Sequence, residues 1–430
     1  MKAFSRALSS VVDVGREILA RRRPLTDASA TPAAGLANLC QELLDHRGEA
    51  SGLALAREIA RHYPDLDEAA QAEFFDHLLH DFDVDDAVIL KAADAYREQP
   101  DFDHLSAISK AVEAPRQRLF RRINMAPGGT RALVAMRGDL QKLLRKLPQL
   151  KAVDSDLRHL FVSWFNMGFL EMKRISWDTP ASVLERIIAY EAVHAINGWD
   201  DLRNRLRANR ACFAFFHPAM PGDPLVFVEV AFTNGLPDAI APLLSEATDQ
   251  AEQTLPDTVV FYSISNCHTG LAGVSFGNFL IKQVVEEVRQ ERPGIKTFVT
   301  LSPVPGFRSW LERARLDELV DPALHDQLRA PVGQVVAAEV RDALIKVCAH
   351  YLINEKSGLL ARDPVARFHL GNGARLHRLH WAADLSDKGK SQSAGIMVNY
   401  LYDLDKIEIN HEEYFDEGKI AVSRSIARLL

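Results

Sequence analysis

Residues 259–307 read VVFYSISNCHTGLAGVSFGNFLIKQVVEEVRQERPGIKTFVTLSPVPGF. Val259 to Ile264 is a run of β-branched and aromatic residues, the composition of a buried strand. From Phe276 through Leu280 to Val284 the apolar positions switch to helical spacing. Between the two, Thr269 to Gly277 carries Gly270, Gly273 and Gly277, so the backbone can approach a ligand closely. The N–H groups that open the following helix then face outward, an arrangement that favours phosphate. A second strand, Thr297 to Leu301, ends in Ser302-Pro303-Val304-Pro305-Gly306, where two prolines fix a hydroxyl at a strand end. The glycine spacing is neither a P-loop nor a dinucleotide fingerprint, so the spacing alone leaves both a phosphate cradle and a tight packing turn open.

Further strands are expected on both sides of this stretch. Ala211 to His217 and Leu225 to Phe232 read as a hairpin through Pro218 to Pro224, and Ala374 to Trp381 and Gly395 to Tyr402 as the last two strands. A short helix is expected at Asp238 to Ala247. Another, capped by Asp178 or Thr179, is expected to run through Ala189 to His194. Strands and helices interleaved in this way give a mixed α/β sheet.

From Gly35 to about residue 173 the pattern is helical throughout, with apolar residues three and four apart. Pro127-Gly128-Gly129-Thr130 supplies a breaker and an N-cap, after which Leu133, Met136, Leu140, Leu143 and Leu147 line one face. The fold class expected is therefore α+β, an N-terminal all-α helical bundle over 1–167 followed by a mixed α/β domain over 168–430. Asp81, Asp83, Asp85 and Asp86 lack the glycine and closing glutamate of a calcium loop, and read as a solvated helix junction.

Composition narrows the function. The chain has 430 residues, 47% hydrophobic and 25% charged, which is enough for two sizeable cores. The formal net charge is −7 and no basic stripe interleaves with aromatics, which argues against nucleic acid. Four cysteines without CxxC spacing argue for a reducing compartment and against a structural zinc. No apolar run is long enough to cross a membrane, and no secretory stretch opens the chain. Lys2, Arg6, Arg16 and Arg21 to Arg23 resemble a transit peptide only weakly, because Asp13 and Glu17 interrupt the pattern. The chain ends Ala427-Arg428-Leu429-Leu430 without a peroxisomal tripeptide, so a cytoplasmic protein is expected.

Several long segments carry a family resemblance: HPAMPGDPLVFVEVAF (217–232), FYSISNCHTGLAGVSFGNFLIK (261–282), TLSPVPGF (300–307), DPVARFHLGNGARLHRLHWAADLS (363–386) and NYLY (399–402). Together and in this order they resemble malonyl-CoA decarboxylase. The resemblance covers nearly the whole chain. It implies a GNAT-like catalytic domain in which coenzyme A lies in a splayed cleft of the sheet, with its pyrophosphate at a glycine loop. It also implies that Ala272, Gly273, Val274, Ser275, Phe276, Gly277 and Asn278 form the coenzyme-binding segment; some relatives carry a carboxylate where Ser275 stands here. Ser302 and His369 align with the family's catalytic pair, as proton acceptor and donor, and Tyr402 with an active-site tyrosine. A homo-oligomer, a tetramer assembled partly through the helical domain, is implied as well.

The chemistry explains why a hydroxyl and an imidazole suffice. Malonyl-CoA brings its own electron sink, so loss of CO2 leaves a thioester enolate that N–H groups can stabilise in a dry site. Neither a metal nor an organic cofactor is expected. What remains is to orient the carboxylate and to deliver a proton to the α-carbon, a task suited to histidine. His377 and His380 lie three apart in a strand and cannot share a metal, and no GxSxG elbow is present. Two other classes stay open, a GNAT-type acyltransferase and an acyl-CoA sensor.

Overall fold

A computed structural model describes residues 10–17, 31–245, 255–274, 279–331 and 337–430. They form two compact units. One takes the chain up to Glu171 together with Phe216–Leu225 and Asn266–Phe276; the other takes Met172–Phe215, Val226–Ser265 and Gly277–Leu430.

The first unit is helical. Its main helices are α1 (Pro32–Asp45), α2 (Glu49–His62), α3 (Glu68–His80), α4 (Asp86–Glu98), α5 (Phe102–Ala111), α6 (Pro115–Met125), α7 (Gly129–Leu143) and α8 (Lys151–Trp164). Their starts follow local capping chemistry. Thr31, Asp67, Asp85 and Asp101 accept N–H groups of the first turns, and Pro32 and Pro115 stand at first helical positions. On α7 the expected stripe is buried at Leu133, Met136, Leu140 and Leu143, while Leu147 is half-buried beyond the helix end. Thr130 is not the cap, however: Gly128 at φ 81° turns the chain into α7, and the Thr130 hydroxyl donates to Asn124. Within the acidic cluster Asp85 caps α4, and Asp83 and Asp156 flank Arg116, which is buried on α6. The helices α4 and α5 bury no residue at all.

The second unit is built on an eight-stranded mixed sheet, β1 (Glu171–Ile175), β2 (Arg210–Phe216), β3 (Pro224–Thr233), β4 (Thr258–Asn266), β5 (Thr297–Thr300), β6 (Ser302–Pro303), β9 (Arg375–His380) and β10 (Met397–Leu401), with a separate ribbon of β7 (Lys356–Ser357) and β8 (Leu360–Ala361). All six strands expected from the sequence are present to within about two residues. The helical reading ran too far, since β1 begins at Glu171 and the largely exposed EMKRI run belongs to an edge. The helix expected through His194 is Ala181–Tyr190, entered from Pro180 without a side-chain cap. It stops where the Glu191 carboxylate accepts the N–H groups of Val193 and His194 and the hydroxyls of Ser263 and Ser265. The short helix of the 238–247 region is Ala241–Leu244.

Two features of the sheet set up the site. First, β4 and β5 are parallel and pair only from Thr258 with Thr297 to Phe261 with Thr300, whereas β4 runs on to Asn266. Past that point the β5 line turns to β10, which pairs Leu401 with Val299 and Val398 with Ser302 in one antiparallel register. The Leu301 N–H still donates to Phe261, and beyond it no pairing of β4 with this line is found among the described residues. Second, alternation separates the faces. Val260, Tyr262, Val299, Leu301 and Met397 join one apolar cluster, with Leu401 packed on it. Thr300, Ser302, Tyr400 and Tyr402 project to the other face.

Candidate active site

Ser302 opens β6, paired with Val398 of β10, so the hydroxyl belongs to a short sheet strand and not to a free strand end. Its Oγ donates to Thr300 Oγ1 at 2.9 Å and lies 3.0 Å from His369 Nε2. His369 sits in the last turn of the helix Pro364–Gly371, and its Nδ1 lies 2.8 Å from the Tyr402 hydroxyl. Since the Ser302 proton goes to Thr300, Ser302 accepts from Nε2–H, and Nδ1 accepts from the Tyr402 O–H. The network thus assigns the Nε2–H tautomer. The imidazole is stacked on Tyr400, ring centroids 4.7 Å apart at 25°. Ser302, His369, Tyr400 and Tyr402 are all buried.

Burial governs the charges. It pushes the His369 imidazole down to about 3 from its usual 6.5, so the ring is neutral at physiological pH. The same desolvation holds the Tyr402 phenol well above its ordinary range. A carboxylate behind the imidazole would stabilise an imidazolium, as in a serine-hydrolase triad, but a phenol occupies that place. The chain Tyr402–His369–Ser302–Thr300 is therefore suited to passing a proton between neutral groups rather than to forming a charged pair with a serine nucleophile.

One buried carboxylate anchors both segments. Asp363 caps the His369 helix by accepting from Val365 and Ala366 N–H, and it accepts from Gly306 N–H four residues beyond Ser302 at 3.2 Å. A Cβ on Gly306 would meet the Tyr351 hydroxyl at 2.2 Å, so this approach requires glycine. Asp363, Thr300 and Tyr400 went unrecognised in the sequence. The Asp-Pro pair before an apolar run is a readable cap signal, and Thr300 shares a strand face with Ser302 at a spacing of two. Tyr400 had no signal to separate it from ordinary strand aromatics. A cavity of about 590 Å³ near the start of the same helix is lined by Trp310, Arg313, His350 and Arg362, among others, but by none of Ser302, His369 and Tyr402.

In the helical unit the described part of the glycine loop begins with a single 3₁₀ turn, Thr269–Leu271. Gly270 lies on α7: an added Cβ would stand 1.9 Å from the Val134 carbonyl oxygen. Gly273 has φ 73°, which favours glycine. Of the expected coenzyme segment, Ala272, Gly273 and Val274 are placed here, and Ser275, Phe276, Gly277 and Asn278 lie outside the described residues. The following helix is Phe279–Glu291.

Comparison with known proteins agrees along the chain. The family model for the malonyl-CoA decarboxylase C-terminal domain matches residues 168–430, and that for the N-terminal domain matches residues 82–165. The mitochondrial malonyl-CoA decarboxylase of Anser anser anser is 33% identical over 413 residues, 86% of this chain and 82% of that protein. The one from Rattus norvegicus is 33% identical over 410 residues, covering 86% and 83%. Among solved structures, malonyl-CoA decarboxylase from Rhodopseudomonas palustris matches with a TM-score of 0.86 and 46% identity, over 93% of this chain and 100% of that one. The Agrobacterium vitis enzyme matches at 0.84 and 47%, over 92% and 99%.

Proposed function

The chain belongs to the malonyl-CoA decarboxylase family, and we propose on that basis that it converts malonyl-CoA to acetyl-CoA and CO2 by protonating a thioester enolate at the Ser302–His369 pair. The observation that carries this reading is the buried, neutral Tyr402–His369–Ser302 chain, found at the residues that the family resemblance names.

Loss of CO2 leaves the electron pair of the broken C–C bond on the thioester. Ser302 turns its Oγ proton from Thr300 to the α-carbon, gives it up there and takes the Nε2 proton of His369, while Tyr402 passes its proton to Nδ1 and is reprotonated from solvent. One solvent proton is consumed per turnover, and the balance closes. Burial helps at each step, because a neutral donor in a water-poor site loses little to reorganisation and the departing carboxylate is poorly solvated there. No resident metal or organic cofactor enters this scheme, since the thioester is its own electron sink. The glycine loop is assigned the coenzyme phosphates.

Incubation of the pure protein with malonyl-CoA alone tests the proposal: CO2 and acetyl-CoA are both expected. Turnover only after an acceptor amine is added would make the protein an acyltransferase, and return of intact thioester would make it a sensor.

We assign the helical part, 1–167, to assembly of a homo-oligomer, most simply a tetramer. Val88, Leu90, Phe102 and Leu105 on α4 and α5 are exposed apolar side chains that a second copy would cover. A monomer in sedimentation at micromolar concentration would refute this. The cytoplasm is proposed as the compartment, in keeping with four buried free cysteines; among the described residues no helix is long and apolar enough to cross a membrane.

A further inference from the structure

The helical unit holds the glycine loop from beneath with two arginines that no sequence motif singled out. Arg137 of α7 is 2% exposed, and its Nη1 donates to the carbonyls of Gly270 at 2.7 Å and Ala272 at 2.9 Å. Its Nε is fixed by Asp154 of α8 at 2.8 Å. Because a peptide unit is planar and trans, binding the Ala272 carbonyl on one side turns the Gly273 N–H to the other. The N–H groups of Leu271, Ala272 and Val274 are spent on carbonyls inside the turn, whereas that of Gly273 has no acceptor among the described residues.

Arg158 stands beside this N–H. One turn along α8 from Asp154, it donates Nε to the Gly273 carbonyl at 3.2 Å. Its side chain is exposed, and both Nη groups are without an acceptor among the described residues, since Asp154 is committed to Arg137. A guanidinium tethered through Nε beside Gly273, with both Nη groups without an acceptor among the described residues and an open backbone N–H in the same turn, has the donor set of a phosphate site.

We infer that Arg158 contacts a phosphate of the coenzyme and that Arg137 is the positioning residue that presents the Gly273 N–H to it. This rests on the assignment of the glycine loop to the coenzyme phosphates. It gives the helical unit a part in substrate binding beyond assembly.

The test compares malonyl-CoA with malonyl-pantetheine, which carries the same reacting end and no phosphate. Arg158→Gln is expected to raise KM for malonyl-CoA about tenfold, the scale of one charge-assisted hydrogen bond, with kcat retained. The loss is confined to the phosphorylated substrate. Arg137→Lys, which keeps the charge but cannot span two carbonyls and a carboxylate, should show the same split even if Arg137→Ala fails to fold. Calorimetry with coenzyme A and pantetheine reads the same difference without turnover. An equal loss on both substrates, or an unchanged KM for malonyl-CoA with Arg158→Gln, would overturn the inference while leaving the loop assignment standing. A wild-type protein that binds coenzyme A no better than pantetheine would overturn that assignment as well.

Discussion

The Ser302–His369 pair and the glycine loop fix their functional groups by opposite means. In the sheet unit the atoms proposed to react belong to buried side chains, Ser302 and Tyr402 on one face of the sheet and His369 on a helix, each held by another side chain. In the helical unit the groups proposed to bind are the Gly273 backbone N–H and the exposed Arg158 guanidinium, and Arg137 acts from behind, through carbonyls. The first arrangement suits a reacting centre that needs low dielectric and a set tautomer. The second suits an anionic handle that must come and go from a surface. Substitutions in the two regions should therefore separate into losses of turnover and losses of affinity.

The largest effect is expected at the pair. His369→Asn keeps polar packing but removes the relay, and Ser302→Ala removes its substrate end; each should lower kcat by roughly 10²-fold or more, the usual scale for general acid–base groups. Affinity for coenzyme A should change less than about twofold. The double variant should lose less than the product of the single losses, because the two act as a unit. Near-normal turnover in either folded single variant would remove the pair from the mechanism. At the loop, Gly270→Ala forces a methyl group against the Val134 carbonyl and Gly273→Val puts a branched residue at positive φ; each should raise KM about tenfold with kcat largely kept. A fall in kcat alone would erase the contrast between the regions.

A smaller effect should come from Tyr402→Phe. It removes the donor to Nδ1 without touching the Ser302 side of the ring; with a water in the place of the phenol hydroxyl reprotonating Nδ1, kcat should drop roughly fivefold, the worth of one neutral hydrogen bond of about 1 kcal/mol. A loss as large as that of His369→Asn would show that the phenol is itself obligatory for proton delivery.

Much of this was legible in the residues, and the gaps have physical causes. The strands could be read because buried β runs such as ACFAFF (211–216) and LVFVEVAF (225–232) carry their own pattern. Ser302 and His369 were legible only through resemblance, since a serine before proline and a lone histidine look like ordinary turn and core residues. Arg137 and Arg158 were invisible, because their roles depend on which backbone carbonyls the fold brings within reach, and no periodicity records that. Glu229 within β3 marks the limit of the buried-strand reading: it is fully buried, beside an Arg205 guanidinium that donates to it at 2.8 Å, and burial pushes its carboxyl up to about 8.

The smallest expected effect on rate is the absence of one. A histidine of ordinary pKa would give kcat/KM an acid limb near 6.5, the value for an exposed imidazole. Burial takes His369 down to about 3, so kcat/KM should stay flat in that group as the pH falls from about 8 to about 5. The proton refused by the folded ring must then appear in stability. Below about 6.5 the unfolded chain binds a proton at this position and the folded chain does not. The folded state is thus undisturbed above the unfolded pKa and loses stability as pH falls towards about 3, by up to about 1.4 kcal/mol per unit for one group. Urea unfolding of wild type and His369→Asn at pH 7 and pH 5 isolates it, because His194, also pushed down by burial to about 4, is common to both chains and cancels. The wild type should lose about 2 kcal/mol more than the variant between the two conditions. An acid limb near 6.5 that vanishes in His369→Asn, together with equal losses of stability, would mean that the imidazole is protonated in the folded protein. The contrast between a neutral, buried reacting centre and a charged, exposed handle would then fail at its first term.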